Sequence, residues 1–133
     1  MAASTNAPLE VTGGCHCGAV RFHATVRDRV AVHCNCSICR STGFVHVIVP
    51  ESDFTLDCGA DALTEYRFGT GAARHLFCRA CGVKSFYVPR SHPDGRSMHL
   101  GCLDVDPGTF EVKDFDGANW ERSIGDLDGA TGV

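Results

Sequence analysis

Apolar and polar residues alternate along this chain in short runs, and glycine, proline and aspartate break the runs apart. Residues 9–12 (LEVT), 19–26 (AVRFHATV) and 63–68 (LTEYRF) alternate with a period of two, the pattern of half-buried strands. Residues 44–49 (FVHVIV) are β-branched and aromatic and stop at Pro50, which also reads as a strand. Residues 54–58, 74–78 and 97–103 are further short strands, residues 83–88 lead out of the Cys78–Cys81 pair, and residues 30–33 (VAVH) form an apolar run that leads into Cys34. Turns are expected at residues 59–61, 69–71 and 106–108, and a surface loop with two prolines at 89–95. Residues 36–42 suit one helical turn with Ser37 near its start. No segment sustains a helical period, and residues 110–120 show no period at all. The pattern predicts a mainly β fold. On the strand periodicity, His23 faces solvent, and His46 is either exposed or the lining of a pocket, with exposure the ordinary reading.

Length and composition narrow the classes. The chain has 133 residues, 44% of them hydrophobic, and a formal charge of −4. That suits one domain over residues 1–133 with its core at about 9–121 and loose tails at 1–8 and 122–133. The absence of a basic run argues against nucleic acid as a partner. No stretch is long and apolar enough to span a membrane. Residues 1–8 lack the basic start and apolar core of a leader, so the expected location is cytoplasmic. The pattern sets no oligomeric state.

The cysteines change the picture most. There are nine, an odd number, and C-x-C pairs strain any disulfide joining them. Thiolates on metal in a reducing compartment are the better reading. Cys15 and Cys17 form one C-x-C, bracketed by glycines that let the backbone turn tightly. Cys78 and Cys81 form a C-x2-C. These four suit one closed structural zinc site clipping the N-terminal strands to the middle of the chain. Cys34, Cys36 and Cys39, spaced C-x-C-x2-C, suit a second zinc with three protein ligands and a place for substrate. Cys102, Cys58, His33 and His46 are the residues that would close this second site if one of them bound permanently. Cys102 reads as a core residue and Cys58 as a buried or idle thiol.

Three thiolates on a divalent ion leave a net negative charge, and an incoming thiolate adds another. Such a site needs positive neighbours. Arg40 follows the cluster directly, and Arg90 lies in the 89–95 loop, from which it can swing over a ligand. Arg74, Lys84 and Arg96 are the other cations in flanking segments. No general base stands out; His33, His46 or water would have to serve.

Three stretches resemble a known family. GCHCGAVRF at 14–22, CNCSICR at 34–40 and FCRACGVKSFY at 77–87, with FDGANWE at 115–121, are similar to the glutathione-dependent formaldehyde-activating enzymes, a family with centromere protein V-like members. The resemblance covers about residues 11–121. It implies an Mss4-like fold of small antiparallel sheets around a structural zinc held by Cys15, Cys17, Cys78 and Cys81. It implies a second, labile zinc on Cys34, Cys36 and Cys39 at an active site. The implied reaction joins glutathione, as co-substrate, to formaldehyde or a related small aldehyde, giving S-(hydroxymethyl)glutathione, a carbon–sulfur lyase activity. Arg40 and Arg90 are the residues expected to hold the glutathione carboxylates. The competing readings are a zinc-stabilised binding or chaperone module without chemistry, and a thiol-based zinc or redox sensor.

Overall fold

The computed structural model describes residues 7–116. Strands β1 (Leu9–Gly14), β2 (Arg21–Val26) and β5 (Phe54–Cys58) form a three-stranded sheet in the order β1-β2-β5. The second sheet has seven strands: β3 (Val30–Cys34), β4 (Val45–Pro50), β6 (Leu63–Tyr66), β7 (Arg74–Cys78), β8 (Phe86–Val88), β9 (Gly95–His99) and β10 (Glu111–Phe115). Their order is β10-β3-β4-β9-β8-β7-β6. Helix α1 (Ser37–Thr42) follows β3. The fold is mainly β, as the alternation required. No helix among the described residues is long and apolar enough to cross a membrane.

The sheets bury their apolar faces against each other. Val11, Phe22, Ala24 and Val26 from the small sheet share one core with Val47, Val49, Phe86 and Met98 from the large one. Phe22 is the hinge of this contact, with ring centroids 5.1 Å from Phe54 and 5.7 Å from Phe86. Phe22 and Met98 are almost wholly buried, and burial of side chains this large supplies most of the drive for the two sheets to pack.

Several boundaries differ from the alternation. Residues 97–103 are not one strand: β9 ends at His99, and a 3-10 turn follows at Leu100–Cys102. Residues 83–88 contribute only the three residues of β8. The unreadable stretch near residue 110 holds β10, which pairs in parallel with β3, Glu111 opposite Val30 and Phe115 opposite Cys34. Every other strand pairing is antiparallel. Four of the five β10 residues are exposed and only Phe115 is buried, so the strand carries no apolar period. Ladder hydrogen bonds hold it instead. The tail motif from residue 117 onward and the expected chain ends, apart from Ala7 and Pro8, lie outside the described residues.

One glycine stands at a close approach between β5 and the first cysteine turn. Gly59 has φ +97°, and a Cβ there would lie 2.3 Å from the Ala19 carbonyl oxygen and 2.7 Å from the Val20 Cα. Ala19 and Val20 close the turn that carries Cys15 and Cys17: the Cys15 N–H donates to the Val20 carbonyl at 3.1 Å, and the Val20 N–H to the Cys15 sulfur at 3.3 Å. Gly59→Ala must therefore strain its own backbone and push on that turn. The expected loss is about 1–3 kcal/mol of stability, read as a lower midpoint in thermal unfolding, with easier metal loss from the Cys15 turn.

Candidate metal and active site

The turn after β1 presents Cys15 and Cys17, and the end of β7 presents Cys78 with Cys81 just beyond it. Gly18 (φ +84°) and Gly82 (φ +78°) complete the two turns in the left-handed region, which glycine enters at little cost. In the second turn the Gly82 N–H donates to the Cys78 carbonyl at 2.7 Å, and the Cys78 N–H to that of Val83 at 3.1 Å. All four sulfurs lie within 4.8 Å of one another. Cys15 to Cys17 and Cys17 to Cys78 are both 3.7 Å apart. A tetrahedral zinc with bonds of about 2.3 Å requires sulfurs about 3.8 Å apart. Two of the six sulfur pairs already stand at that spacing and the others lie within 4.8 Å, so the residues present suit such an ion. Cys102 sits beside this site: burial, then Cys15 and Cys81, push its thiol up to about 11.

The second set is Cys34 at the end of β3, with Cys36 and Cys39 at and within α1. These three sulfurs also lie within 4.8 Å of one another. The helix is short, but the Arg40 N–H to Cys36 carbonyl bond of 2.9 Å and the left-handed Gly43 cap hold it. Without an ion between them the three thiols share protons. Hydrogen bonds from Cys34 and Cys39 pull the Cys36 thiol far down, and contacts with Cys34 and Cys36 push the Cys39 thiol far up. A divalent ion would remove that conflict by taking all three as thiolates.

The three cysteines line a cavity of about 480 Å³, whose other walls include Arg40, His46, Phe68, His75, Tyr87, Arg90 and Phe115. The expectation that His46 is exposed is overturned. It is 5% exposed, because β4 lies inside the sheet between β3 and β9. Its Nε2 is 3.1 Å from the Cys39 sulfur, its Nδ1 is 2.9 Å from Ser97 Oγ and 3.3 Å from the Tyr87 hydroxyl. Burial, then the nearby Lys84, drives its pKa down to about 3. The ring is neutral at physiological pH.

Lys84 is the cation the structure sets deepest beside this cluster. Its Nζ is 2.9 Å from His75 Nδ1 and lies 4.7 Å and 4.4 Å above the rings of Phe44 and Tyr87. Burial lowers its pKa to about 8, against the opposing pull of Cys39 and Cys36. Lys84 thus remains an ammonium near pH 7, and it donates to His75, whose own pKa burial and Lys84 lower to about 4. His75 stacks face to face on Tyr87 at 4.8 Å and on Phe68 at 5.5 Å.

The other residues singled out by sequence divide clearly. Arg40 and Arg90 line the cavity. Arg74 pairs with Glu65 at 2.8 Å, and Arg96 with Glu51 at 3.1 Å; neither reaches it. His33 is exposed, 3.4 Å from Asp114, and His23 is exposed as expected, 2.8 Å from Asp57. Cys58 is exposed rather than buried. Of the four residues weighed as a closing ligand, His46 alone touches the second set, and it stands outside the group whose donor atoms lie mutually within 4.8 Å. His75 was missed as a cavity residue because strand alternation treats it as one more polar position.

Two comparisons bear on this geometry. The family model described as glutathione-dependent formaldehyde-activating enzyme matches residues 10–115, a span that holds both cysteine sets. A Rhodobacter sphaeroides protein of known crystal structure superimposes with a TM-score of 0.71 at 36% sequence identity, over 77% of this chain and 98% of that one.

The first cysteine set draws on both sheets and the second on β3 and α1 alone, which gives a test. Cys81→Ser breaks a site that joins the two sheets and is expected to lower the unfolding midpoint sharply, as loss of a structural metal does. Cys36→Ser is expected to leave the unfolding free energy within about 1 kcal/mol of the parent and to lower metal content by about one ion per chain. Elemental analysis of the parent after mild chelation is expected to leave about one ion, that of the four-cysteine site. Equal destabilisation by both substitutions contradicts the division.

Proposed function

Because the chain belongs to the glutathione-dependent formaldehyde-activating enzyme family, we propose that it adds the thiol of glutathione to formaldehyde or a related small aldehyde, as a carbon–sulfur lyase. The observation that carries this reading is the second cysteine set. Three sulfurs gather at a cavity wall with cationic side chains around them, and none of the other residues weighed as ligands completes the set. Cys15, Cys17, Cys78 and Cys81 are proposed to hold a structural zinc, and Cys34, Cys36 and Cys39 the catalytic one.

A zinc ion on Cys34, Cys36 and Cys39 would supply a position at which an incoming thiol loses its proton. The chain's own groups do the rest. Arg40 and Arg90 take the glutathione carboxylates in charge-assisted hydrogen bonds, which fixes the tripeptide while its sulfur reaches the cluster. Lys84 offsets the negative charge of the thiolates. When the glutathione sulfur bonds to the aldehyde carbon, the carbonyl π pair moves to oxygen, and that oxygen needs a proton. His75 accepts at Nδ1 from Lys84, so its ring proton is on Nε2. We assign the proton to this pair: His75 releases Nε2–H to the oxygen while Lys84 replaces it through Nδ1. The neutral lysine is then reprotonated from water.

Two measurements test the reading. Glutathione is expected to bind the metal-loaded protein far better than S-methylglutathione, which keeps both carboxylates but offers no thiolate. Equal binding would leave a binding module as the reading in place of the enzyme. Arg90→Ala or Arg40→Ala is expected to weaken glutathione binding by about 1.5–3 kcal/mol, seen by calorimetry. Lys84→Met is expected to lower turnover at saturating glutathione by about 100-fold, the scale of a lost proton donor, beyond the fall in glutathione affinity that follows from the lost positive charge. An unchanged turnover rules the Lys84–His75 pair out as the proton source.

A further inference from the structure

The three cysteines of the second set are not equivalent. Cys34 and Cys36 draw on backbone N–H groups of α1, those of Cys36 for the former and of Ile38 and Cys39 for the latter. Cys39 is met by a side chain, His46 Nε2 at 3.1 Å. The tautomer of that ring follows from the state of the sulfur it meets. Ser97 Oγ and the Tyr87 hydroxyl both approach Nδ1, and each can donate to it. A Cys39 thiolate held on a metal has no proton to give, so its contact with Nε2 is a hydrogen bond only when the single ring proton is on Nε2, which leaves the Nδ1 lone pair to accept from a hydroxyl. Nε2–H then donates to the Cys39 sulfur. Ser97 is fully buried on β9 and Tyr87 is 6% exposed on β8, so the ring cannot turn away without stranding a buried hydroxyl.

We propose that His46 is a positioning residue: its Nε2–H fixes the Cys39 sulfur as a ligand and draws charge from it, so that the bound metal is left more electron-poor toward the incoming thiol. A sulfur lone pair that accepts a hydrogen bond is a weaker donor to a metal. A metal with one weaker donor pulls harder on whatever occupies its remaining position. Groups that orient metal ligands in this way matter by about 10–100-fold in metal affinity or activity. The charged and titratable groups acting on the ring are Cys39 from α1, Tyr87 from β8, and, further off, Lys84, Cys36, His99 and His75. This inference deepens the reading of the second set as a metal site open to a thiol, but its test uses neither glutathione nor an aldehyde.

The experiment compares His46→Phe with His46→Gln in the full chain, loaded with zinc for affinity and with cobalt(II) for spectroscopy. Phenylalanine keeps the volume and loses the N–H. Glutamine keeps an N–H near the Nε2 position and loses the ring. If the hydrogen bond is what matters, Phe lowers affinity at the second site by about 10–100-fold and moves the sulfur-to-cobalt charge-transfer band to longer wavelength. Gln restores most of both, and the four-cysteine site is unaffected. If His46 only fills space, the order reverses: Phe is tolerated and Gln is not. That reversal, or a band and affinity unchanged in Phe, overturns the proposal. Should either variant lose the four-cysteine site as well, Ser97→Ala decides. It leaves the ring in place and removes one of the two hydroxyls that hold its Nδ1. A smaller fall in the same direction supports the proposal, and an unchanged band and affinity overturns it.

Discussion

Four sulfurs from two separate turns must meet around one point, and much else in the molecule depends on where that point lies. Cys15 and Cys17 belong to the small sheet's first hairpin, whereas Cys78 closes β7 of the large sheet. Their approach ties the sheets together at one end, while Phe22, Phe54 and Phe86 tie them through the core. Strand β7 then serves two masters. Its last residue is Cys78 of the first set, and three positions earlier His75 lines the cavity of the second. With β7 fixed, β8 and β9 lie beside it in the ladder, and they bring Tyr87 and Ser97 up behind His46. The wall of the candidate active site is thus laid down from the four-cysteine site outward.

The charge of the second set is the other organising problem. A cluster of thiolates at a cavity wall is costly unless positive charge lies close by. Arg40 and Arg90 lie on the wall, where water weakens their field, but Lys84 is set between the faces of two aromatic rings. A cation over a ring recovers part of what it loses in leaving water, and the His75 acceptor recovers more. The depressed pKa of about 8 reports the balance. Lys84 keeps its charge at neutral pH but holds it loosely, which suits a group proposed to give up a proton.

The sequence made much of this visible, for reasons that differ by region. Cysteine spacing is a direct statement of geometry, since C-x-C and C-x2-C turns can only aim two sulfurs at one place, so both clusters were legible. So were the hairpin strands, whose alternation reflects one wet face and one dry face. His46 was not legible, because β4 is covered on both sides and a buried polar residue there has the same neighbours, Val45 and Val47, that an exposed one would have. Lys84 could be named as a cation, but no local signal places it over Phe44, which comes from a distant segment, as well as over Tyr87 three residues on. Strand β10 was hidden because its stability comes from backbone pairing, and a run such as Glu111-Val112-Lys113-Asp114 shows no burial for a periodicity to detect.

The parallel pairing of β10 with β3 has a consequence for how the molecule is assembled. The two strands meet beside the second cysteine set, where Asn35 donates to Asp116 across a separation of 81 residues and the Asn35 N–H reaches the Phe115 carbonyl at 3.3 Å. Closing so long a loop carries an entropic cost that must be met before its contacts reward it. During synthesis the ribosome releases Cys81, and with it the last ligand of the four-cysteine set, well before Phe115 emerges. The order of emergence sets the order of completion: the sheets can be joined at the four-cysteine set while the second cluster still lacks the strand that flanks it. A nascent chain in that interval has its three reactive sulfurs on a half-walled surface. The Phe115 side of the cavity is added only as β10 docks.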